Sequence, residues 1–182
     1  MLPAPTPPPR RSGLIAPRHP FLPRFVVGGA KYNNYGEQIF LDKVQRYDLA
    51  SSSWLSNAPP MPTSRKFATA LALLDDDDGG GGAILVAGGE ESDDLHTQTV
   101  SRYSVASSSW ASLPSLPAAR FGLVSGAYTT SRLMFVGGWG TTYSDRVYQY
   151  DLEMRCGGGG ASGAKWTGAG SDPLDLVGHG HR

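Results

Sequence analysis

The sequence predicts an all-β chain built from repeated four-stranded antiparallel sheets, and three observations carry that reading. Three apolar runs each end in a glycine pair: Phe25-Val26-Val27-Gly28-Gly29, Ile84-Leu85-Val86-Ala87-Gly88-Gly89 and Met134-Phe135-Val136-Gly137-Gly138. In the first two units a tryptophan follows a tyrosine by seven positions, Trp54 after Tyr47 and Trp110 after Tyr103, with Ala-Ser-Ser-Ser before each tryptophan. No stretch of about ten residues has a helical period free of Gly and Pro, so little helix is expected.

The units follow in order. Residues 1–23 include Pro3, Pro5, Pro7, Pro8 and Pro9 and read as a Pro-rich disordered tail. No Asp or Glu precedes Glu37, while Arg10, Arg11, Arg18, Arg24 and Lys31 do. An organelle transit peptide would have such a charge, but those prolines oppose the amphipathic helix it prefers. The first unit, about 24–58, offers a strand at Phe25–Val27, a polar loop, a strand at Val44–Asp48 and a last strand at Trp54. A fourth strand would have to come from residues 18–24, where Pro17, Pro20 and Pro23 argue against pairing.

The second unit, about 64–114, begins with the run Phe67 to Leu74 and is interrupted by Asp75 to Asp78 and Gly79 to Gly82, read as a solvated hairpin tip. It continues through Ile84–Ala87 and Val100–Ser104 to Trp110. The third, about 119–169, holds Phe121 to Tyr128, Met134–Val136 and Val147–Asp151. Trp166 lies sixteen positions after Tyr150 because Gly157 to Gly160 and Ala161-Ser162-Gly163 intervene; it is read as the tryptophan of that unit. Residues 171–182 read as a flexible tail.

Short runs rich in Val, Ile, Tyr and Trp between Gly, Pro, Asn, Asp and Ser are the pattern of an antiparallel meander. One four-stranded sheet cannot bury both of its faces, and radial packing of sheet on sheet solves this as a β-propeller. Tyr47, Trp54, Tyr103, Trp110, Tyr150 and Trp166 would supply the packing surface between blades. Gly28, Gly29, Gly88, Gly89, Gly137 and Gly138 would sit at strand ends that need unusual backbone angles or a close backbone approach. Arg65 and Arg120, downstream of the tryptophans, suit backbone carbonyls or aromatic faces between blades.

Twin glycines, Tyr-Asp, tryptophan at fixed spacing and a downstream arginine together resemble the kelch motif, over about residues 25 to 170. The interval from Gly28 to Gly88 is 60 residues; without the Asp/Gly insertion it falls to about 52, near the kelch period of roughly 50. The resemblance implies a partial kelch-type propeller of about three blades. Closed propellers have about four to eight, so a fragment of a longer propeller is expected ahead of self-assembly, with self-association through open blade edges as an alternative.

Composition excludes several function classes. Lysine plus arginine equals aspartate plus glutamate at 16 each, so no net charge draws the chain to nucleic acid or an anionic membrane. No apolar run approaches the length of a membrane span. Cys156 is the only cysteine; no intrachain disulfide can form, which favours a reducing compartment and a cytoplasmic location.

In such a meander the b–c and d–a loops emerge on one face, and kelch relatives hold proteins or peptides on such a face. Binding loops on a rigid scaffold are a general pattern. The candidate contact residues are Tyr32, Asn34, Tyr35, Arg65, Glu90, Glu91, Asp94, His96, Arg120, Trp139 and Tyr143. The expected role is a protein-interaction scaffold without catalysis, cofactor or metal, its partner a protein or peptide.

Three other readings are open to these residues. Kelch proteins among the plant specifier proteins bind iron through Glu-x-x-x-Asp-x-x-x-His; Glu90 and Asp94 match, but Gln98 stands in the third place and His96 has the wrong spacing. Kelch propellers also occur in copper-radical oxidases and sialic-acid epimerases; a copper site needs a tyrosine–cysteine pair with histidines, whereas Cys156 lies before a glycine run and His179 and His181 in the tail. The last is a truncated product without independent function.

Overall fold

The computed structural model describes residues 24–73, 82–129, 132–152 and 165–170. The tail at 1–23, residues 75–81 of the Asp/Gly insertion, Cys156 with the Gly157–Gly163 insertion, and the tail at 171–182 with His179 and His181 lie outside the described residues.

The described residues contain fifteen β-strands and no helix. In the first sheet β1 (Arg24–Val27), β4 (Val44–Asp48) and β5 (Ser53–Trp54) pair antiparallel in that order. In the second, β6 (Thr69–Leu73), β7 (Ala83–Ala87), β10 (Val100–Ser104) and β11 (Ser109–Leu113) form a four-stranded meander. The third repeats this with β12 (Val124–Ala127), β13 (Arg132–Val136), β14 (Val147–Asp151) and β15 (Lys165–Gly170). Two small hairpins, β2 (Ala30–Tyr32) with β3 (Gln38–Phe40) and β8 (Glu90–Ser92) with β9 (Leu95–His96), project from the first and second sheets.

The tyrosine–tryptophan spacing is a cross-strand pair. Tyr47 opposes Trp54, Tyr103 opposes Trp110 and Tyr150 opposes Trp166, so each pair shares one face of its sheet. In the third sheet the pairing holds across the long interval, with a register shift between Tyr148 and Gln149. Trp166 is thus the structural equivalent of Trp54 and Trp110.

Alternation along the strands then decides which side of each sheet meets which neighbour. Phe25, Val27 and Val44 on one side of the first sheet, with Ala58 and Met61 beyond it, pack against Ile84, Val86, Tyr103 and Trp110 of the second. The second sheet's other side, with Leu73, Leu85, Ala87 and Val100, packs with Leu116 and Leu123 against Leu133, Phe135, Tyr148, Tyr150 and Trp166 of the third. The tryptophans of the second and third sheets also reach back one sheet: Trp110 Nε1 donates to Pro59 O at 3.0 Å and Trp166 Nε1 to Pro114 O at 3.3 Å. Fully burying one large apolar side chain such as Phe135 contributes about 1.5–3 kcal/mol.

The glycine pairs mark where the chain of the following unit touches the strand ends. Gly28 has φ +67° and a Cβ there would lie 2.6 Å from Arg65 O. Gly88 repeats this with φ +63° and a Cβ position 2.5 Å from Arg120 O. Neighbouring amides bond to the same carbonyls, Gly29 N to Arg65 O at 2.9 Å and Gly89 N to Arg120 O at 2.8 Å. No residue with a side chain fits without shifting backbone.

Candidate functional site

The loop ends of the three sheets are laced together laterally. Lys66 follows the first sheet's tryptophan segment and pairs through the backbone with Glu90. Its ammonium donates to Gln38 Oε1 of the first hairpin, lies 3.2 Å from Glu90 Oε1 and 3.9 Å from Asp93 Oδ1 of the second, and sits over the Phe40 ring at 4.7 Å and Phe67 at 5.4 Å. The side chain is mostly buried, so this cation is neutralised by two carboxylates and covered by two rings.

From Lys66 a row of rings runs across to the third sheet. Phe67 meets Phe121 at 5.8 Å between centroids, Phe121 meets His96 at 4.8 Å and Trp139 at 5.5 Å, and Trp139 meets His96 at 5.2 Å and Tyr143 at 6.4 Å. Tilted and edge-on arrangements at these separations are the favourable aromatic geometries. Phe67 is 59% exposed and Tyr143 88% exposed. Contact surface of this kind, rigid and costing little conformational entropy, suits protein recognition.

Phe67 has a further peculiarity. Its φ is +55°, in the left-handed region that bulky residues avoid. The equivalent place in the next unit is Gly122, with φ +66°, whose amide donates to Phe67 O at 2.9 Å. Lys66 and Phe121 make corresponding backbone bridges, to Glu90 and to Trp139. The fold therefore asks for glycine where this chain places an exposed phenylalanine, at a cost of about 1–3 kcal/mol.

The residues anticipated from the sequence divide into three groups. His96, Trp139 and Tyr143 come together in the ring row. Tyr32, Asn34 and Tyr35 are exposed on the first hairpin, whose tip is held by Asn33 Oδ1 accepting from Tyr35 N and Glu37 N at 2.9 Å each. Asp94 is exposed in the second hairpin's turn, with φ +62°.

The third group is tied into the framework at the loop ends. Arg65 is 1% exposed: its guanidinium donates to Gly88 O at 3.1 Å, Thr99 O at 3.4 Å and Thr63 Oγ1. Burial lowers its pKa, opposed by Glu91, whose carboxylate lies 3.9 Å away. Glu90 is 8% exposed and spent on Lys66. Arg120 is half-buried, 6.0 Å from the Tyr148 ring. The sequence reading missed Phe67, Phe121, Lys66 and Phe40. Setting Arg65-Lys66-Phe67 beside Arg120-Phe121-Gly122 would have exposed Phe67 as a bulky residue in a glycine position.

The acidic cluster of the second hairpin is distributed among cations. Glu90 and Asp93 face Lys66 and Glu91 faces Arg65. Among the described residues no three His, Cys, Asp or Glu side chains converge, and no helix is long and apolar enough to cross a membrane.

No family model and no curated relative matches the sequence. Among solved structures, one described as "Structure of YjhT" superposes with a TM-score of 0.61 at 13% identity, covering 79% of this chain and 47% of that one. The all-β fold of several antiparallel sheets is consistent with a β-propeller-like architecture. The present chain spans about half the length of that structure, and at this identity the likeness concerns architecture alone.

Proposed function

We propose that the chain is a kelch-type propeller scaffold that captures a protein segment on its loop face and performs no chemistry on it. The observation that carries this reading is the ring row from Phe67 to Tyr143, exposed at both ends and containing a phenylalanine held at positive φ. Strain at an exposed residue points to a use for its side chain, since glycine there would relieve it. Exposed Asp94 stands on the hairpin that carries His96 and complements a basic group. The occupant that fits is an extended peptide with an aromatic or aliphatic side chain for the rings and a nearby Lys or Arg.

Panning a random peptide-display library against the purified chain tests this. Enrichment of sequences pairing an apolar anchor with a basic residue is expected. Phe67→Gly, which replaces the ring with the residue the second repeat uses, should weaken those peptides by about 30-fold or more while leaving thermal stability equal or higher. No enriched motif, or equal binding by the Phe67→Gly chain, would overturn the assignment.

A further inference from the structure

The two interfaces inside the chain are built alike, and each has two unlike halves. The later sheet presents a Tyr/Trp face: Tyr103 with Trp110 at 5.2 Å, or Tyr150 with Trp166 at 4.5 Å. The earlier sheet presents aliphatic side chains and, beyond its last strand, the proline carbonyl that accepts the indole N–H.

The first sheet carries the same Tyr/Trp face, Tyr47 against Trp54 at 5.1 Å, and among the described residues neither of the other two sheets packs on it. Trp54 is 58% exposed and Val26, on the same side, 50% exposed. Among the described residues the Trp54 indole N–H has no acceptor. On the far side of the third sheet Val124 and its cross-strand partner Val136 are 68% and 38% exposed, while Val147 and Gln149 of the next strand on that side are buried. One chain therefore exposes the Tyr/Trp half of that interface on its first sheet and an apolar valine pair on the far side of its third.

We propose that a second copy of this chain docks head to tail on the Trp54 face with its Val124/Val136 face, and that the reciprocal contact closes the pair into one ring. Both contacts would continue the packing rule seen between the sheets, and the zero formal net charge of each copy raises no repulsion. A heterologous contact that closes gives a discrete oligomer, whereas one that does not gives open chains. The proposal is independent of peptide capture by the loop face.

Sedimentation velocity of the full chain across a concentration series reads it directly. The expected species is a dimer of the 19.3 kDa chain, converted to monomer by Trp54→Glu and equally by Val124→Glu, both exposed positions whose replacement leaves the circular dichroism unchanged. Mixing the two variants should restore dimer with about tenfold or more weaker affinity, because one unlike pair of faces survives intact. A folded wild-type monomer at all concentrations would overturn the proposal. So would unlimited growth in mass, or a dimer that Val124→Glu leaves intact.

Discussion

The first and second sheets carry the same turn, Ala-Ser-Ser-Ser-Trp, and fold it the same way, with Ser52 and Ser108 both at φ +51°. Their tyrosine–tryptophan pairs are also alike, at 5.1 and 5.2 Å. Yet Tyr103 is buried to 1% exposure while Tyr47 is only half-buried, and Trp110 has an acceptor where Trp54 faces solvent. The difference lies in the neighbour. Local sequence dictates strand, turn and face; only the adjoining sheet converts that face into core.

Substitutions at matched positions make this comparison quantitative. Tyr103→Ala opens a cavity between two sheets and should cost about 3–5 kcal/mol, whereas Tyr47→Ala should cost about 1 kcal/mol; urea titration of monomeric chain checks both. Equal losses would mean that the Tyr47 face is covered in solution. A smaller contrast is expected at the tryptophans. Trp110→Phe removes the bond to the Pro59 carbonyl and should cost about 1 kcal/mol, while Trp54→Phe should stay within about 0.5 kcal/mol.

The smallest effect concerns acid. The Ser51 hydroxyl, then the Ser51 and Ala50 amides, bond to the Asp48 carboxylate and hold its pKa below the ordinary value; the second sheet has Ser104 in that place. A depressed folded-state pKa stabilises fully above about pH 4 and less as pH falls below it. Asp48→Asn should therefore slightly flatten the acid side of the stability–pH curve, and Ser104→Ala should not change its slope.

Much of the architecture was legible in the sequence because its determinants are local. Apolar runs ending at Gly28, Gly88 and Gly137 announced strands, and the Tyr–Trp spacing announced which residues share a face. The ring row was less legible. Phe67, Phe121, His96 and Trp139 belong to different loops, and their adjacency depends on how successive sheets lie against one another. Arg65 shows the same limit: its type suited both a surface contact and a buried tie, and only the carbonyls of Gly88 and Thr99 around it decide. Phe67 was hidden differently, since a phenylalanine in a polar loop draws notice only beside the glycine of the next repeat.

The backward reach of the tryptophans has a consequence for biosynthesis. Trp110 and Trp166 bond to carbonyls 51 and 52 residues earlier in the chain. As the polypeptide leaves the ribosome from its N-terminal side, each new indole emerges after the sheet it must lean on. Assembly can then proceed vectorially, every completed sheet serving as the template on which the next one is laid.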